Sequence, residues 1–164
     1  MWIRRSFFVL AIASVGCKAK EEAAPPPAVD PSAPEHVMAP DMSYVMNLPG
    51  RWTGLTRTDT LSTAERGTAL PGAVNIVYIP RDTAIIPQTL VVIAVYESAA
   101  WAKVKAEGGP PPGDSIASGN GRVWVVALPQ SNPFTPGSID ALKFDSLGLK
   151  PEEKTGIVTV STKK

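Results

Sequence analysis

A chain of 164 residues has room for one ordinary domain and something besides. Its 16 Lys and Arg stand against 15 Asp and Glu, with no clustered basic excess of the kind a nucleic-acid binder uses to neutralise phosphates. A single cysteine excludes an internal disulfide, so the fold must rest on core burial.

Residues 1–16 read as a secretory signal. Arg4 and Arg5 supply the positive start, Phe7 to Ala13 the apolar stretch, and Ser14-Val15-Gly16 the small residues. The apolar stretch falls far short of the ~20 residues of a spanning helix. From Cys17 to Pro40 the chain carries six prolines (25, 26, 27, 31, 34 and 40) and few large apolar residues. That composition cannot build a packed core and predicts a disordered, polyproline-II-like tether. His36, the only histidine, falls in this tether, where it has no partners for a metal site.

The ASVGC run at residues 13–17 resembles the bacterial lipoprotein signal, with Ser14 where that family commonly has an aliphatic residue. The resemblance implies cleavage before Cys17 and acyl chains on its sulfur and amino group. It thus implies a membrane anchor in the cell envelope, and Lys18 in the following position points to the outer membrane. Arg4-Arg5-Ser6-Phe7-Phe8 also looks like a twin-arginine export motif, although so short a start favours general secretion.

Residues 41–164 are expected to form the folded domain. Thr89–Tyr96 and Arg122–Leu128 are unbroken apolar, β-branched runs, the pattern of central strands covered on both faces. Ala73–Ile79 predicts a third strand ended by Pro80, with weaker strands at 43–48, 52–58 and 156–162. Gly119-Asn120-Gly121 carries the Asn-Gly signal of a tight hairpin, joining a strand near Ser115–Ser118 to Arg122. Two helices follow from capping signals. One covers Ala99–Glu107 with Ser98 as cap, and the other runs from Ser138 to about Leu147 with Ile139 and Leu142 inward. The sum is a small α+β domain with a mainly antiparallel sheet.

LPGRW (48–52), IVYIP (76–80), LVVIAVYESAAW (90–101), GRVWVVALPQSNPF (121–134) and Asp140 to Phe144 together resemble a family of small secreted or lipid-anchored bacterial domains. The resemblance implies a fold-sized unit and brings no activity, because its motifs are mostly core positions.

Beyond Pro40 there is no histidine and no cysteine, which excludes Ser-His-Asp and Cys-His nucleophile systems and leaves zinc without its usual ligands. No phosphate-binding glycine loop is present and no cofactor is implied. Catalysis would rest on carboxylates, with Glu97 beside Asp114, Asp140 or Asp145 as the pairs for glycan hydrolysis. A Ser98–Lys103 dyad is weaker, since Ser98 is expected to cap a helix. Trp52, Trp101 and Trp124 fit core anchors better than exposed platforms. The proline-stiffened loops at 107–113 and 129–137 are the best remaining surface, with Pro111, Asn132 and Phe134 as candidate contacts for an envelope protein or glycan. Phe134 can equally be a plug that folds back on the core.

Overall fold

A computed structural model describes residues 33–161. The signal, Cys17 and the tether as far as Ser32 lie outside the described residues, as do residues 162–164. Strands β1 (Glu35–Met38) and β2 (Tyr44–Leu48) come first, then a 3₁₀ turn at Gly50–Trp52, β3 (Thr56–Thr60) and helix α1 (Thr63–Arg66). Strands β4 (Val74–Tyr78) and β5 (Gln88–Glu97) lead into helix α2 (Ser98–Ala106). Strands β6 (Asp114–Gly119) and β7 (Arg122–Ala127) precede helices α3 (Ile139–Leu147) and α4 (Pro151–Lys154), and β8 (Val158–Val160) ends the series. The fold is α+β, with two antiparallel sheets in the orders β1-β2-β8 and β3-β4-β5-β7-β6.

The two apolar runs are continuous because their strands face a core on each side. Val91, Ile93 and Val95 of β5 join Trp124 and Val126 of β7 in the larger core, which also holds the three-stranded sheet and α3. Ala94, Tyr96, Val123 and Val125 point the other way and are covered by Trp101 of α2. Alternating strand geometry turns one sequence run into two buried faces. All three tryptophans of the domain are core anchors: Trp52 and Trp124 are each 1% exposed and Trp101 is 4%. The hairpin signal at 119–121 is realised, with Asn120 and Gly121 at φ of 53° and 72°. Those positive values suit a turn that follows strand twist.

Several expectations need correction. The domain begins before Asp41, because β1 pairs antiparallel with β2 from Glu35 opposite Leu48 to Met38 opposite Val45. His36 therefore sits in a strand, 2.8 Å from Asn47 through its Nδ1, rather than in a tether. The turn that returns this strand is held by Ala39 N–H on the Tyr44 carbonyl and Met42 N–H on the Ala39 carbonyl. Residues 52–58 are not one strand. Trp52 N–H donates to Pro49 and Leu55 N–H to Trp52, which curls the chain before β3.

Ser98 is the first helical residue of α2, not its cap, and Glu97 in the cap position makes no side-chain capping bond. The Ser98 N–H donates instead to the Gly121 carbonyl, so the helix grows directly out of the β5–β7 ladder. Ser138 does cap α3, its hydroxyl accepting from Ala141 N–H at 3.1 Å. That helix is rotated from its expected setting. Ile139 and Leu142 are 70% and 64% exposed, while Ala141, Phe144 and Leu147 are buried. The side chains of Asp140, bonded to Tyr78 and the Arg81 N–H, and of Phe144, packed on Tyr78 and Phe134, fix the rotation.

Candidate functional site

Residues of the IVYIP, PQSNPF and Asp140–Phe144 motifs converge on one structural knot around α3. Tyr78 at the end of β4 donates its hydroxyl to Asp140 Oδ1 at 2.7 Å, and the Arg81 backbone N–H donates to the same oxygen at 3.1 Å. Phe134 packs edge-on against Tyr78 and Phe144, with ring centroids 5.6 and 5.5 Å away. Asn132 completes the arrangement. Its amide donates to the Ala141 carbonyl and to Asp145 Oδ1 at 2.9 and 2.8 Å, and its oxygen accepts from Phe134 N–H at 2.9 Å. Phe134 is 9% exposed and acts as the plug. Of the three loop residues singled out from sequence, Phe134 and Asn132 are occupied in holding the loop to α3, and Pro111 alone stands exposed.

The LPGRW stretch anchors the other end of α3. Trp52 Nε1 donates to the Leu147 carbonyl at 2.8 Å, and Arg51 Nη2 donates to Gly148 at 2.9 Å. Arg51 also grips Glu153 through both carboxylate oxygens, which holds that carboxyl below the usual glutamate range.

Glu97 and Asp114, one of the expected carboxylate pairs, are not brought together. Glu97 lies opposite Arg122 on β7, while Asp114 lies opposite Val126 on the same strand. Four residues of strand separate those registers by about 13 Å at ~3.3 Å each, against the ~5–9.5 Å between the carboxyls of glycosidases. Asp114 is also paired with Lys154 Nζ at 2.7 Å. Asp140 and Asp145 sit five positions apart on α3 and hence on different faces of it.

Burial raises the pKa of two tyrosines, Tyr78 in the knot and Tyr44 on β2. Tyr78 is pushed up to about 12 by desolvation, by its bond to Asp140 and by the charge of that carboxylate. Tyr44, whose hydroxyl donates to the Gly72 carbonyl at 2.7 Å, is raised further by burial and by Asp41. An unfolded tyrosine ionises near pH ~10, so above that pH the unfolded chain sheds protons that the folded chain keeps. Stability is therefore complete below pH ~10 and falls above it, by up to about 1.4 kcal/mol per pH unit for each such tyrosine. Urea midpoints measured across this range should show the fall, and Tyr78→Phe should make it shallower. An equal slope in wild type and variant would contradict the assignment.

Several concavities surround the knot and the sheets among the described residues, and three of them bear on the candidate surfaces. The proline loops do meet: Pro110–Pro112 and Gly113 face Leu128 and Gln130 across a groove of about 460 Å³. Gly113 makes this approach possible, since a Cβ there would stand 2.3 Å from the Val126 carbonyl oxygen. A second hollow of about 480 Å³ gathers Asp41, Ser43, Arg122 and Trp124. Trp124 Nε1 has no acceptor among the described residues, and its ring meets Tyr44 edge-on.

The third is a cleft of about 600 Å³ between the outer face of α3 and the end of β4. Comparison with known proteins names none of the three. No family model, curated protein or solved structure matches this chain. The cleft stands out on its own chemistry, because it collects most of the exposed large apolar side chains around α3: Ile79, Ile139 and Leu142. The sequence reading missed it by turning Ile139 and Leu142 inward. The signal available was Lys143 and Ser146 on the same helical stripe, which marks that stripe as the wet side.

Proposed function

We propose that the chain is a lipid-anchored protein of the bacterial cell envelope whose α+β domain is a non-catalytic binding module. The observation that carries the anchor is the ASVGC run after Arg4-Arg5 and the apolar stretch, with its single cysteine followed by a proline-rich segment. Several acyl chains on Cys17 would add ~0.8 kcal/mol per buried methylene, enough together for stable attachment. Support for binding over hydrolysis comes from the separation of Glu97 and Asp114 and from the internal commitments of Asp140 and Asp145. The partner classes that suit an envelope location are another envelope protein or a glycan. The proline-loop groove and the α3 cleft are the surfaces open to them.

Fractionation of a Cys17→Ser variant tests the anchor. The variant should leave the membrane fraction, whereas the wild type partitions with it. A processed variant that stays attached as firmly as wild type refutes the lipid reading. Pull-down of envelope components on the full chain, repeated with Pro111 and its neighbours replaced, tests the loop groove.

A further inference from the structure

The α3 cleft has a composition that narrows its ligand. Its walls are Leu55, Ile79, Pro80, Ile139 and Leu142, and its volume of about 600 Å³ lies within the range of small-molecule sites. The hydroxyls that border it are already used. Tyr78 donates to Asp140, and Ser146 donates to the Lys143 carbonyl at 2.6 Å. The backbone donors along the β4 wall are used as well. Ile79 N–H donates to Leu55, Pro80 has none, and Arg81 N–H is held by Asp140.

A peptide laid here would find no N–H along that wall for its own carbonyls, and β4 already pairs with β3 and β5 on its two sides. Among the lining side chains two polar groups remain. The side chains of Arg81 and Lys143 both border the cleft, and neither joins an ion pair among the described residues. A cleft with apolar walls and two uncommitted cations complements a molecule with an apolar body, no internal hydrogen-bonding groups and one anionic end.

We infer that the α3 cleft binds a long-chain fatty acid, with the acyl chain against Ile79, Ile139 and Leu142 and the carboxylate between Arg81 and Lys143. The inference deepens the binding reading of the domain and makes no use of the lipid on Cys17. The exposed apolar side chains on α3 are covered by the acyl chain, and the carboxylate supplies the counter-charge that no described residue does.

The test is calorimetric titration of the full chain, below the micellar range, with decanoate, dodecanoate and tetradecanoate, and with tetradecanol as a neutral probe. Expected are one site per chain and an affinity gain of about fourfold for each methylene buried. Tetradecanol should bind about tenfold more weakly than tetradecanoate, as for the loss of a charge-assisted contact. The double variant Arg81→Ala/Lys143→Ala should lose that tenfold preference while binding tetradecanol as before. Leu142→Glu, at an exposed position that leaves the core intact, should abolish binding of all the acids.

Equal affinity for acid and alcohol, no dependence on chain length, or indifference to Leu142→Glu overturns the proposal. So does concentration-dependent dimerisation that Leu142→Glu relieves, because the cleft would then be a contact between copies. A failure here together with release of Cys17→Ser from the membrane removes the fatty acid and leaves the anchor standing. Binding of tetradecanoate by a chain that stays attached without Cys17 does the reverse.

Discussion

Trp52→Ala should lower the unfolding free energy by about 3–5 kcal/mol, the range found when large buried aromatics are truncated. For a domain of this size that is a large part of the ~5–15 kcal/mol by which native proteins are stable. Two separable causes add up at this position. The indole is 1% exposed in the larger core, so its removal leaves a cavity among Leu147 and its neighbours. Its Nε1 is also the donor to the Leu147 carbonyl, which is buried and left without its partner when the indole goes. Trp52→Phe separates the two. It keeps most of the ring contact and loses the donor, and should cost about 1–3 kcal/mol for the stranded carbonyl plus a smaller packing loss. Urea denaturation of wild type and both variants measures the ladder. A Trp52→Phe variant as unstable as Trp52→Ala would mean that the hydrogen bond dominates, and a neutral Trp52→Ala would remove Trp52 from the core.

The reason this residue matters is topological. The 3₁₀ turn after β2 holds the far end of the chain: Trp52 holds the C-terminus of α3, and Arg51 holds Gly148 and Glu153. That end then returns as β8 beside β2, with Tyr44 opposite Val160. Contacts of this sequence separation are invisible to local pattern. LPGRW could be recognised as a unit, yet nothing within it tells that its partner is a helix about ninety-five residues away.

Local signals did carry much of the architecture. β5 and β7 were legible because an unbroken apolar strand must be covered twice, and the Asn120-Gly121 turn because few residues tolerate positive φ. Ser138 was legible as a cap for the same local reason. Helix α1 carries a capping box of its own, with Ser62 and Glu65 bonding reciprocally, but only four residues follow and no apolar stripe marks them. The strand at Glu35–Met38 escaped because its residues are mostly exposed and its order comes from pairing with β2 rather than from burial.

The candidate site was less legible, and α3 shows why. Ile139-Asp140-Ala141-Leu142 offers two apolar stripes, one through 139 and 142 and one through 141, 144 and 147. Their apolar residues alone favour neither, and only Lys143 and Ser146 mark the first as the wet side. The choice is made by Asp140, which is 9% exposed and can be buried only because Tyr78 and the Arg81 backbone satisfy its carboxylate. One tertiary hydrogen-bond set thus turns the helix, buries Phe144 and Leu147, and leaves Ile139 and Leu142 to wall the cleft. The same knot explains why Phe134 and Asn132, reasonable contact residues in a proline loop, face inward.

Phe134→Ala should then behave as a core deletion and cost about 3–5 kcal/mol, less any relief from its position at the core margin. The ring touches Tyr78 and Phe144, which are themselves edge-on at 6.0 Å, so both remaining aromatics lose a partner and border the void. Phe134→Leu retains much of the buried area and should cost about 1–2 kcal/mol. Pro111→Ala on the facing loop should stay within ~0.5 kcal/mol, as exposed substitutions do. The contrast decides between plug and recognition residue. A plug predicts that Phe134→Ala lowers the thermal midpoint while partner capture persists at temperatures where the variant is folded. A recognition residue predicts the opposite, lost capture at unchanged stability. The Tyr78 hydroxyl gives an internal check, because loosening the knot should bring its ionisation down from about 12 toward that of a free tyrosine. A variant that loses stability without moving that titration would show that Phe134 supports α3 by packing on Phe144 alone.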